Sequence, residues 1–154
     1  MDEVRSAVEP DEPDYPAAAA RLGVAALPLL SELIQGDDPA LASKAASLVG
    51  NIDGAESLEV LREAARSPQA VVRIAAAASV GGLSELPVTD LLAALLDDED
   101  PYVRKVALDS VASTHAAGAA RKIRVLAEED PEAFVRDVAE ATLRLLGTDS
   151  GEGR

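Results

Sequence analysis

The sequence predicts an all-α fold, an α-solenoid in which antiparallel helix pairs stack into a superhelix. Three observations carry that expectation. A short helix-start signal occurs four times, as Asp38-Pro39, Ser67-Pro68, Asp100-Pro101 and Asp130-Pro131. Behind each signal the same columns of apolar and small residues recur. No segment shows the period-two alternation of a half-buried strand.

The signal has a local physical meaning. An Asp or Ser side chain can accept hydrogen bonds from the first amides of a helix, and an acid there meets the positive end of the helix dipole. Proline supplies a preset φ at the first helical position. Asp38, Ser67, Asp100 and Asp130 are therefore read as helix N-caps.

In chain order, residues 1–15 hold six acids, one base, Pro10 and Pro13, and read as an acidic flexible arm. Residues 16–147 are the repeat domain. A short Ala-rich helix is expected at 16–22, a half repeat, followed by helices at 24–35, 39–50, 55–66, 68–80, 85–96, 101–112, 117–128 and 131–146. Gly36, Gly50, Gly54, Gly81, Gly82, Gly118 and Gly147 punctuate the breaks. Residues 148–154 read as a polar tail.

Taking the first apolar residue of each second helix as an anchor gives Leu41, Val72, Val103 and Val135, spaced 31, 31 and 32 residues apart. A repeat of that period is the mark of a helical solenoid with about four repeats. Four residues after the anchor stand Ala45, Ala76, Ala107 and Ala139; eight after it stand Val49, Val80, Val111 and Leu143. Offsets 0, 3, 4, 7 and 8 share one helix face, the expected core.

Composition narrows the function classes. With 48% hydrophobic residues the chain can bury a core, and the near absence of aromatics (one Phe, two Tyr, no Trp) leaves Ala, Leu and Val to build it. No cysteine means no disulfide, thiolate metal site or cysteine nucleophile. The net charge of −14 repels polyanions, so nucleic acid is not an expected partner. The acidic start is unlike a secretion signal, and the longest apolar stretch, near 23–30, is too short to cross a bilayer, so a cytoplasmic protein away from membranes is expected.

The segments Asp100-Pro101-Tyr102-Val103-Arg104, Ser67-Pro68-Gln69-Ala70-Val71-Val72-Arg73-Ile74-Ala75-Ala76 and Asp130-Pro131-Glu132-Ala133-Phe134-Val135-Arg136 resemble the HEAT-repeat superfamily. The similarity is to its short repeats of the phycobilisome-lyase-related type and covers residues 16–147. The resemblance implies that Arg73, Arg104 and Arg136 form a structural ladder, pairing with acids or helix-end carbonyls of the adjacent repeat. The first repeat departs from it, with Ala42 in the arginine's place. It also implies one enzymatic alternative, a lyase-like or chaperone subunit handling a bilin or similar apolar cofactor.

No catalytic constellation stands out. His115 is the only histidine, and the acidic runs at 97–100 and 128–130 fall in turns before helices, without calcium-loop spacing. No metal and no cofactor are expected. What remains is the solvent side of the second helices at offsets 2, 5, 6 and 9, which lines the concave surface of a solenoid. It includes Ser43, Ser47, Ile74, Ala77, Ala78, Lys105, Leu108, Asp109, Glu140 and Arg144. Its apolar middle (Ile74, Ala77, Ala78, Leu108) on an acidic body points to a non-catalytic scaffold that binds another protein or peptide, of basic character. Tyr102 and Lys105 are left free to meet it. A self-associating structural module is a further alternative; a monomer or weak homo-oligomer is expected.

Overall fold

The computed structural model describes residues 2–83 and 87–148. In chain order the helices are α1 (Asp2–Val8), α2 (Tyr15–Leu22), α3 (Leu27–Ile34), α4 (Pro39–Val49), α5 (Ala55–Ala64), α6 (Ala70–Val80), α7 (Thr89–Leu95), α8 (Pro101–Thr114), α9 (Ala120–Glu129) and α10 (Ala133–Thr148). One-turn 3-10 segments, Gly23–Ala26 and Ala117–Ala119, lead into α3 and α9. The described residues contain no strand. The start expected at residue 85 and all of the tail beyond Thr148 lie outside the described residues.

Four helix pairs stack as an α-solenoid: α3/α4, α5/α6, α7/α8 and α9/α10. The second helices form the tighter layer, with α4 on α6, α6 on α8 and α8 on α10, whereas the first helices touch their neighbours less.

The helix starts are of two kinds, which corrects the single device read from sequence. Asp38 Oδ1 accepts from the amides of Ala40 and Leu41 at 3.0 and 3.2 Å, and Asp100 Oδ1 from those of Tyr102 and Val103 at 2.8 and 3.2 Å. Both are N-caps with proline at the first helical position. α6 and α10 instead begin at Ala70 and Ala133, past Pro68 and Pro131. Ser67 and Asp130 stand five residues before their anchors, where Asp38 and Asp100 stand three before theirs. They shape the preceding turn, Ser67 Oγ accepting from the Gln69 amide at 3.2 Å and Asp130 Oδ1 from the Glu132 amide at 3.0 Å. α6 is capped at Gln69 without a side-chain bond.

The N-terminal arm also departs from expectation. Val4, Ala7 and Val8, at helical spacing, give α1 an apolar stripe that is buried against α2 and α4. Lys44 on α4 donates to the carbonyls of Glu9 and Pro10 at 3.4 and 2.7 Å, fixing the chain where it leaves α1. Burial pushes the Tyr15 phenol up despite its hydrogen bond with Ser47, so α2 too is seated on α4. The acidic composition hid a three-residue stripe long enough to dock one short helix. Val8 is fully buried; Val8→Asp is expected to free α1 and cost about 2 kcal/mol or more, read as a lower urea midpoint. An unchanged midpoint would mean that α1 contributes no stability.

Residues 15–34 together are long and apolar enough to match a membrane span by composition. They do not form one straight helix. Gly23, at φ 58°, closes α2, the 3-10 turn redirects the chain, and Leu27, Leu30 and Ile34 are buried in the core.

Candidate partner-binding face

At about 100° per residue, a helix in a stack has four sides rather than two. Offsets 0, 4 and 8 from the anchor point at the first-layer helix. Offsets 3 and 7 turn to the preceding second-layer helix, offsets 1 and 5 to the following one. Only offsets −1, 2 and 6 are left for solvent. Hydrogen bonds mark the two flanks: Ser79 Oγ donates to the Ala46 carbonyl at 3.0 Å and Ser110 Oγ to the Ala77 carbonyl at 2.6 Å, offset 7 to offset 5 of the helix before.

That geometry corrects part of the site read from sequence. Ala77 and Leu108, expected on the exposed face, are 0% exposed, as is Ala46 in the same column. Offset 5 is a stacking position, so Leu108→Glu would test folding and not binding. The next member of the column, Glu140, is exposed and pairs with Arg144 at 3.2 Å, because α10 has no following helix among the described residues. Ser43, Ser47, Ile74 and Lys105 are half-buried, and Ala78 and Asp109 are exposed. Ser43 and Ser47 donate to the carbonyls of Ala40 and Ser43 in their own helix. Lys105 is engaged with Asp109 at 2.7 Å, one turn away.

The open column is offset −1: Ala40, Val71 and Tyr102 are exposed, and Phe134 is half-buried against the core. Val71 is 45% exposed and Tyr102 60%, and the Tyr102 ring stacks on Phe134 with centroids 5.3 Å apart and planes 28° apart. Ile74 flanks them one turn on. Val71 and Phe134 were missed because the columns were read only forward from the anchor; one step back shows an apolar stripe crossing three repeats.

Beside this stripe run the turns joining first to second helices, carrying exposed Asp37, Asp38, Asp97, Glu99, Glu128, Glu129 and Glu132. The arginine ladder lies under that ridge. Arg73 grips Asp98 with two parallel bonds, Nε to Oδ2 at 2.8 Å and Nη2 to Oδ1 at 3.0 Å, while Nη1 donates to the Ser67 carbonyl at 3.0 Å. Arg104 repeats the arrangement one pair later, gripping Asp130 at 2.7 and 2.9 Å and donating to the carbonyls of Asp98 and Glu99 at 2.9 and 3.1 Å. Arg136 donates to the carbonyls of Asp130 and Pro131 at 2.6 and 3.2 Å. Each arginine thus holds its own turn and, where a following repeat is present, that repeat's acid.

The electrostatics follow. Asp130, with 1% of its side chain exposed, is pushed up by burial, but the Arg104 guanidinium, the Glu132 amide and the charge of Arg136 outweigh burial and hold its carboxyl below the usual value. The bond to Asp130 raises Arg104 against the opposing effect of its own burial, and Asp98 does the same for Arg73. Lys122 on α9 is bound to Asp97 and to the Ala93 carbonyl, a second tie across the same junction.

His115 is exposed and acts through its backbone. At φ 53° and ψ 37° it ends α8 in the left-handed conformation, its N–H bonded to the Val111 carbonyl. Among the described residues no group of three or more His, Asp or Glu is placed to hold a metal.

Stacked helix pairs tied by a buried ladder and carrying one open stripe define an α-solenoid scaffold. The family profile described as HEAT repeats matches residues 14–81 and again 65–144, so the chain belongs to the HEAT-repeat family, whose helical scaffolds often mediate protein interactions. Comparison with curated proteins gives no match.

Proposed function

We propose that the protein is a non-catalytic scaffold that holds a protein or peptide segment against the inner face of its second-layer helices. The supporting observation is the stripe of Val71, Tyr102 and Phe134 beside the acidic turn ridge. Exposed Val71 and Tyr102 next to ridge carboxylates that hold no ion pair among the described residues (Asp37, Glu128, Glu129 and Glu132, whereas Asp97 and Glu99 are paired with Lys122 and Arg73) suit a segment that alternates apolar and basic residues. Tyr102, rigid and backed by Phe134, is the anchor: it offers apolar area with little conformational entropy to lose.

The experiment uses the full chain as bait with its co-purified partner. Val71→Glu and Tyr102→Glu, both at exposed positions, are expected to weaken capture at least about tenfold while leaving helicity unchanged. Raising salt is expected to weaken wild-type binding through the acidic rim. Capture that survives both substitutions would move the site elsewhere on the solenoid.

A further inference from the structure

The ladder is interrupted at one junction, and both of its halves are missing together. Arg73 and Arg104 stand at offset 1, and their acids Asp98 and Asp130 stand five residues before the next anchor. Between the first and second pairs those two positions are Ala42 and Ser67. A cleft of about 360 Å³ opens there, walled by Ile34, Pro39 and Val72 and edged by Gly36, Asp37 and Glu63. Gly36 lies six residues before Ala42, as Ser67 lies six before Arg73 and Asp98 six before Arg104. Among the described residues no side chain donates to the Gly36 carbonyl, whereas the Ser67 and Asp98 carbonyls each accept from an arginine. Glu63 supplies a carboxylate, already accepting from Ser31 at 2.7 Å and Gln35 at 3.4 Å. Arg66 also lines the cleft and opposes a cation, against the two carboxylates of Asp37 and Glu63.

We infer that this cleft binds an arginine side chain presented by the partner, which completes in trans the rung that Arg73 and Arg104 make in cis. The apolar walls would take the methylene stem, and the turn carbonyl and Glu63 the planar fork of donors, a match that a lysine's point charge lacks. This rests on the scaffold reading for the source of the arginine, but the cleft is tested without any partner.

The probe is Nα-acetyl-arginine amide, titrated into the isotope-labelled full chain and followed by amide chemical shifts. Saturable shifts are expected at Gly36, Asp37, Ser67 and Gln69, and none with the neutral citrulline analogue. Ser67→Asp, which restores the acid alone, is expected to tighten arginine binding by about tenfold. Ala42→Arg with Ser67→Asp closes the rung in cis, and is expected to raise the melting temperature by a few degrees and abolish the shifts. Shifts that are absent, equal with the lysine analogue, or produced by inorganic phosphate instead of arginine would overturn the assignment. So would a double variant less stable than wild type. Loss of partner capture by Tyr102→Glu with arginine shifts intact would leave the cleft standing and separate the two sites.

Discussion

Arg104→Ala is expected to lower the stability of the protein by about 3–5 kcal/mol, because it leaves the Asp130 carboxylate buried with its main partner gone. For a chain of this length that is a fall in melting temperature on the order of 10 °C. The cost arises from what remains behind rather than from the attraction removed. Asp130 has 1% of its side chain exposed and cannot reach water, and the Asp98 and Glu99 carbonyls lose their donor at the same time. Arg144→Ala is the matching control: its side chain is 75% exposed, and its pair with Glu140 lies on the surface. That change should stay within about 0.5 kcal/mol. An unaltered melting curve for Arg104→Ala would remove the ladder from the account of stability.

The same pair sets an acid limit. The folded carboxyl of Asp130 is held below its usual value of 3.8, so its contribution is fully present above that pH and is lost as pH falls through the lower folded value. In Arg104→Ala the guanidinium no longer opposes burial, leaving only the Glu132 amide and the charge of Arg136 to do so, and protonation then relieves part of the unpaired charge. The stability gap between wild type and variant is therefore expected to be wide and flat at neutral pH and to narrow below about pH 4–5. Urea midpoints measured from pH 7 to pH 3 check it; a gap independent of pH would mean that Asp130 is not the group carrying the loss.

Most of the fold was legible because the repeat is written in columns. The anchors, the Ala column at offset 4 and the arginines at offset 1 are positions where packing leaves little choice, and they appear at fixed spacing. The face left for a partner was harder to read. A two-sided view of a helix assigns offset 5 to solvent, and only the stack shows that Ala77 and Leu108 meet the following helix. The N-caps were misread for a related reason: a residue followed by proline looks alike at three and at five residues before the anchor, yet Asp100 caps a helix whereas Asp130 receives Arg104. The acid partners were visible in principle, since Asp98 and Asp130 share a column with Ser67, the one repeat whose predecessor lacks the arginine. Docking of α1 left a weaker signal, three apolar residues among many acids, and it depends on a surface of α4 that sequence periodicity alone does not locate.

Gly50→Ala is expected to destabilise the protein by about 1–3 kcal/mol, against the usual direction for such a change. Gly50 closes α4 with φ −63° and ψ −10°, an ordinary helical conformation, so backbone entropy alone would favour alanine by about 0.5–1 kcal/mol. Packing decides otherwise. A Cβ at this position would lie 2.6 Å from Ser79 Cβ, 2.9 Å from its Cα and 3.0 Å from its carbonyl oxygen. No rotamer change relieves contacts to Cβ and backbone, so α4 and α6 must move apart. Their separation stretches the Ser79–Ala46 hydrogen bond and loosens the packing around Leu48, Val49 and Val80, all fully buried. Gly81 holds the same column one pair later, but its added Cβ would meet the hydroxyls of Ser113 and Ser110 at 3.1 and 3.2 Å, of which Ser113 is exposed and can turn aside. Gly147, inside α10, has nothing within 4 Å and should gain stability on becoming alanine. The expected order of urea midpoints is Gly147→Ala above wild type, Gly81→Ala below it and Gly50→Ala lowest. A Gly50→Ala protein as stable as wild type would mean that the second-layer helices are not held at the spacing on which both the ladder and the open stripe depend.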